Sequence, residues 1–465
     1  MSLRARRTVG RENSRLSPPY APPTGGAQAD GGMIGFAGLS HLGVVSSITA
    51  AAQGCEVVGF DPDSGRCANL QVGRLEVFEP GLPELVAANR SRLRWTADAA
   101  DLRACDLIVF SPDVTTDREN RSDLSSLRRL IDGVTDQAAA DTVLVVLSQV
   151  PPGFTRQLAA QRESRHLGAG NVLYYQVETL VFGRAVERSM HPERFIVGCP
   201  DPAVPLPAPY AAWLGSFGCP ILRMRYESAE LAKVAINMLL TASISATNTL
   251  AELCEAIGAD WSDIAPVLRL DRRIGSHAYL NPGLGLAGGN LERDLVTVRT
   301  LAGEWGTDVG VVEAWVANSL YRRDWALRAI HTDVLPACPQ PTIAMWGLAY
   351  KPETQSTKNS PALALIEALA PCSIQAYDPQ VVLEDRAANV TQAASALEAC
   401  RDADALVVMT PWPEFSTIDV AQIREQMAGR VIIDPFGALD RQRCRALGLR
   451  HLRLGSPAAD GSITQ

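Results

Sequence analysis

The chain has 465 residues, 47% of them apolar, which is too long for one hydrophobic core and points to two or three domains. A formal charge of −8 and a pI near 5.4 leave no basic face to neutralise a phosphate backbone, so nucleic acid is not an expected partner. No run approaches the ~18 apolar residues of a membrane span, so no membrane association is expected either.

The first 32 residues are rich in Arg, Pro, Gly and Ser and have no apolar stretch, and they read as a leader without a fold of its own (1–32) and not as a secretion signal. The ten cysteines contain no C-x-x-C pair, which favours reduced thiols and a cytoplasmic protein, and the sequence offers no metal site. From Met33 the pattern runs M-I-G-F-A-G, then L-S-H-L-G-V-V-S-S-I-T-A-A-A, then C-E-V-V-G-F-D, a strand–helix–strand unit. Buried strands are expected at 107–110, 142–147 and 194–197, giving a parallel doubly wound sheet over residues 33–220. Residues 221–335 show only helical periodicity, broken by a glycine-rich stretch at 281–289. They are expected to form a central helical segment that bridges domains, supplies a dimer face, or does both. The first pattern returns after Pro341, in T-I-A-M-W-G-L-A-Y and S-I-Q-A-Y-D-P, with later strands at 405–409 and 431–434. The fold class is therefore α/β, with two doubly wound Rossmann-like domains, the second over 336–465, joined by helices.

A glycine turn between strand and helix suits a dinucleotide: one glycine makes the turn, a second admits the pyrophosphate, and a third packs helix on strand. Here the three positions are Gly38, Ser40 and Gly43, so the middle one carries a side chain. Asp61 ends the next strand, placed to bind a ribose diol and to prefer NAD to NADP. The cofactor set is completed by Leu42, Ser111, Pro112 and Gln149.

The segments V-F-E-P-G-L-P-E-L-V, S-Q-V-P-P-G-F-T, E-R-F-I-V-G, A-E-L-A-K-V-A-I-N, D-R-R-I-G-S-H-A-Y-L-N-P-G-L-G-L-A-G-G-N-L-E-R-D and G-L-A-Y-K-P-E-T-Q-S-T-K-N-S-P-A-L follow the first unit in order. From Met33 onward the chain resembles the UDP-glucose and GDP-mannose dehydrogenases. That resemblance implies a nucleotide-sugar substrate, NAD, a homodimer or higher homo-oligomer, and two successive hydride transfers from a 6-hydroxyl by way of a cysteine-bound thiohemiacetal. It assigns catalytic roles to Lys233 and Asn237, four apart on one helical face, and to Asp294 and Glu178. Arg273, Gly283, Gly285, Gly288, Lys351 and Lys358 are the implied substrate contacts, the lysine at 358 replacing the family's usual arginine.

The departures from the family pattern concern chemistry. Aligned on Gly283, Gly285, Gly288 and Asp294, the family's cysteine falls on Asn290, an amide that cannot add to an aldehyde. Gln149 stands in place of a threonine, Phe182 in place of a second glutamate, and Arg293 in place of a lysine. The sequence thus favours a two-electron alcohol oxidation or a redox-neutral variant. Full oxidation without a thioester and a non-catalytic nucleotide-binding paralogue are the alternatives.

Overall fold

The computed structural model describes residues 32–77, 79–164, 170–383 and 387–457, so the expected leader lies outside the described residues except for its last one. The first sheet contains β1 (Met33–Ala37), β2 (Glu56–Phe60), β3 (Leu93–Thr96), β4 (Leu107–Phe110), β5 (Val143–Val146), β6 (Leu173–Gln176), β7 (Phe195–Cys199) and β8 (Ile221–Arg225), in the order β3-β2-β1-β4-β5-β6-β7-β8. Its central strands β4 and β5 read LIVF and VLVV and are buried throughout, as strands covered by helices on both faces must be. At ~1.5–3 kcal/mol for each large side chain removed from water, these strands supply much of the first core. The sheet is parallel from β3 to β6, but β7 pairs with β6 antiparallel, so β7 and β8 run the opposite way. The sheet also extends one strand past residue 220, because β8 completes its edge.

The second sheet repeats the plan with β9 (Thr342–Trp346), β10 (Ser373–Tyr377), β11 (Val390–Gln392), β12 (Ala405–Val408), β13 (Val431–Ile433) and β14 (Arg450–Leu452), in the order β11-β10-β9-β12-β13-β14 and parallel throughout. The repetition reaches the level of single hydrogen bonds. Gly38 donates to the Phe60 carbonyl and Gly347 to the Tyr377 carbonyl, while Leu39 donates to Asp61 and Leu348 to Asp378. In each domain the acid ending the second strand thus buttresses the turn after the first. Asp378 is the more heavily engaged of the two: its oxygens accept from the backbone of Leu348, Ala349, Gln380 and Val381 and from the Trp412 indole.

Between the sheets, α1 (His41–Ala52) having followed β1, the chain forms α2 (Tyr226–Ile257), α3 (Asn290–Trp305), α4 (Gly310–Arg323) and α5 (Trp325–Asp333). The helical periodicity expected over 221–335 is also broken at Asp324, between α4 and α5. By length and composition α2 could cross a bilayer, with a mean hydropathy of 1.3 over its most apolar window, contrary to the expectation that no such segment exists. Its buried stripe, however, carries Glu230, Asn237, Thr241, Ser245 and Asn248 among the apolar residues, spaced three or four apart on one face. The head of the helix joins the first core through Tyr226 and Ala229, and Ala251 and Cys254, near its tail, pack with Trp261. Near its C-terminal end Glu255 reaches Arg322 of α4 and the Gly455 amide, which ties the chain just after β14 to the helix. One rod therefore fixes both sheets relative to α3.

Candidate active site

At the head of α1 the glycine turn forms as expected. Gly38 has φ +93°, and a β-carbon there would lie 2.7 Å from the Pro112 nitrogen; a β-carbon on Gly43 would lie 1.8 Å from the Gly38 carbonyl oxygen. Both positions therefore exclude side chains, one by conformation and contact and the other by helix-on-strand packing. Ser111 and Pro112 back the turn from behind, the Ser111 hydroxyl donating to the Gly38 carbonyl. Ser40 is the N-cap of α1 but does not cap it: its hydroxyl accepts from the Asp113 amide at 2.7 Å and faces the Ser111 carbonyl at 3.4 Å. The side chain that interrupts the glycine pattern is turned towards the loop after β4. Beyond it the first amides of α1, including that of Leu42, have no partner within the helix and suit a pyrophosphate. Asp61 is 5% exposed and binds the Leu39 amide at 2.7 Å and Arg66 at 3.0 Å, so it buttresses the turn as well as standing where a ribose diol would meet it. These residues fit a dinucleotide.

α2 and α3 bring together most of the residues assigned to chemistry. The Asn237 amide donates to one oxygen of Asp294 and the Gln149 amide to the other, each at 2.6 Å. Lys233, one turn before Asn237, faces Glu178 at 3.4 Å. Burial drives the Asp294 carboxyl above the usual carboxylate range, and Arg293, Asn237, Lys233 and Gln149 pull it back. Gln149, expected at the cofactor, is thus engaged with Asp294, and it also accepts from Arg293. Three further residues belong here that sequence reasoning did not select. Arg293 is buried; Tyr175 on β6 has a fully buried hydroxyl without a partner; and Glu230, one turn before Lys233, accepts from the Gly153 and Thr155 amides and holds the loop after Gln149 against α2. Arg293 carried a signal, its departure from lysine, whereas Tyr175 and Glu230 read as ordinary strand and helix residues.

Asn290 is the first residue of α3, exposed, and one turn ahead of Asp294. The two cysteines of intermediate exposure lie elsewhere: Cys219 packs in the α1 side of the first core and Cys338 sits beside Asp404. The implied substrate contacts divide. Arg273 stands on the surface, its side chain 89% exposed and paired with Asp271. In the glycine stretch the Gly283 amide donates to Asn248, Leu286 to Ser319, Gly288 to the Lys358 carbonyl and Gly289 to Glu292, and Gly285 passes close to the Ser319 carbonyl. These amides hold the loop against its neighbours and are not free for a diphosphate. Lys351 and Lys358 reach across to the first domain, donating to the carbonyls of Phe182 and Asp117. Phe182 lies against His41, whose Nε2 is 2.7 Å from buried Glu79.

A dinucleotide turn, an amide–carboxylate–ammonium cluster around buried Asp294 and a second doubly wound sheet together make the layout of an NAD-dependent oxidoreductase. Residues 33–205 match the NAD binding domain of the UDP-glucose/GDP-mannose dehydrogenase family, residues 227–319 its central domain and residues 344–441 its UDP binding domain. The chain belongs to that family. It is 30% identical to a UDP-glucose 6-dehydrogenase of Rhizobium meliloti, over 91% of this chain and 99% of the relative, and 28% identical to the UDP-glucose 6-dehydrogenase TuaD of Bacillus subtilis, over 92% and 94%. The fold is shared with a UDP-glucose dehydrogenase from Pyrobaculum islandicum, with a TM-score of 0.80 at 24% identity over 93% of this chain and all of the other.

Proposed function

We propose that the protein oxidises an alcohol of a nucleotide sugar in one two-electron step, or runs a redox-neutral variant of it, and does not carry the sugar through a thioester to a uronic acid. The observation that carries this reading is Asn290: an exposed amide at the head of α3, with no cysteine among the described residues hydrogen-bonded into the cluster. Without a thiolate an aldehyde cannot be trapped covalently for a second oxidation.

NAD supplies the hydride acceptor, held by the turn at Gly38 to Gly43 and by Asp61. Lys233 stabilises the negative charge that grows on the substrate oxygen, helped by the second N–H of Asn237, in a site where burial strengthens both. Asp294, with an amide on each oxygen, orients Asn237 and Gln149. Glu178, less buried and next to Lys233, receives the proton. Lys351 and Lys358 suit the nucleotide diphosphate once the cleft fills, their present acceptors being carbonyls that a phosphate would outcompete. A homodimer or higher homo-oligomer goes with this reading. It is supported by the exposed Leu239, Leu250, Leu253 and Ile257, which share one face of α2.

UDP-glucose, named for the relatives, is the first substrate to test. Purified protein with NAD and UDP-glucose or another nucleotide sugar should form one NADH per sugar, or turn over with none, and yield a carbonyl compound or an epimer. Two NADH per sugar with a uronic acid would overturn the proposal. In Asn290→Cys, acid formation should appear if the remainder of the site is intact.

A further inference from the structure

Arg293 is a charged member of the cluster that the proposed oxidation does not use. Its side chain is 9% exposed, and its Nη2 donates to the Gln149 carbonyl oxygen. Its Nε lies 3.6 Å from the nearer Asp294 oxygen, an ion-pair distance beyond hydrogen-bond reach, and is buried without a hydrogen-bond partner; Nη1, less buried, makes no hydrogen bond among the described residues. A guanidinium Nε withdrawn from water is costly unless something accepts from it. Within the protein Asp294 balances it as an ion pair but not as a hydrogen-bond acceptor, since both of its oxygens already take amide hydrogens, and Glu178 is matched to Lys233. Two of the departures, Phe182 and Asn290, put neutral groups where the family pattern has an acid and a thiol.

We propose that Arg293 makes the reacting end of the cleft a carboxylate receptor, and that the ligand class is a nucleotide sugar whose hexose already carries an acid, a nucleotide uronate. This rests on the nucleotide-sugar reading above and narrows it. It also accounts for the lost cysteine on chemical grounds. With the sixth carbon already an acid, the alcohol open to oxidation is a ring CH–OH: its hydride goes to NAD, its hydroxyl proton to Glu178, and a ketone remains. A ketone has no hydrogen left on its carbonyl carbon, so no second hydride transfer could follow even if a thiol added to it.

Calorimetric titration of the full chain with UDP, UDP-glucose and UDP-glucuronate, without NAD, tests the proposal. A charge-assisted contact from Arg293 should make UDP-glucuronate bind at least about tenfold tighter than UDP-glucose. Arg293→Met should bring the two within about twofold of each other while UDP binding stays as in the wild type, and Arg293→Lys should keep part of the preference. Equal or weaker binding of the uronate to the wild type, or a preference that survives Arg293→Met, overturns the proposal, and the wild-type comparison decides even if the methionine variant does not fold. If the wild type binds UDP but does not prefer the uronate, only this proposal fails. If it binds none of the three, the nucleotide-sugar reading fails with it.

Discussion

Burial sets the behaviour of Asp294. Its carboxyl titrates above the ordinary range because desolvation outweighs the help of Arg293, Asn237, Lys233 and Gln149. An acid raised in the folded state favours its proton there. The linked stability is therefore complete below the unfolded value of about 3.9 and is lost as pH rises through the folded one. In Asp294→Asn, which cannot ionise, that loss disappears. The melting temperature of the wild type relative to the variant should fall from pH 4 towards neutrality, and a difference that stays constant across that range would refute the assignment. Gly43 is a steric constraint: in Gly43→Ala the new carbon meets the Gly38 carbonyl and should cost about 1–3 kcal/mol by overpacking. Denaturation should report this cost together with weakened NAD binding, since the same contact shapes the turn. The grouping of Lys233, Asn237 and Asp294 could be expected from sequence because they sit inside recognisable segments. Gln149 could not, because its partner lies 145 residues away and a side chain's direction at a loop is set by tertiary packing.

Among the elements, α2 does the most positioning. It delivers Glu230, Lys233 and Asn237 from successive turns, and Glu230 clamps the loop that presents Gln149. Glu230→Gln keeps the shape but replaces one accepting oxygen with a donor facing a backbone amide, and should lower stability by about 1–3 kcal/mol in urea denaturation. No loss would show that the clamp is dispensable. The opposite face of α2 is apolar and uncovered, with Leu239 72% and Ile257 62% exposed. A paired Leu239→Glu and Leu253→Glu change should shift the protein towards monomer in sedimentation, and an unchanged distribution would move the interface elsewhere. The buried central strands were legible because four consecutive apolar residues between polar stretches fit little else. β8 was not: it is an edge strand, half exposed, reading ILRMR, and its pairing with β7 rather than its composition makes it a strand. The reversal at β7 was invisible for a similar reason, since the direction of a strand depends on its partner and leaves no mark in its own residues.

At the scale of the whole molecule, the two halves meet through side chains that reach across the cleft. Lys351 and Lys358 hold carbonyls of the first domain, and Asn359 bonds both Asn120 and Glu292. These contacts link the second domain to the start of α3, and through it to the turn that carries Asn290 and Asp294. The architecture was readable because the strand–turn–helix–strand pattern occurs twice, with Asp61 and Asp378 closing equivalent strands. Their surroundings, however, give the two acids different capacities. Five donors converge on the oxygens of Asp378, leaving no acceptor for an adenosine diol, while Asp61 meets fewer. Titration should therefore saturate at a single NAD per polypeptide, even though the architecture could in principle house a pair. The second shelf is sealed from within by the chain's own amides and indole.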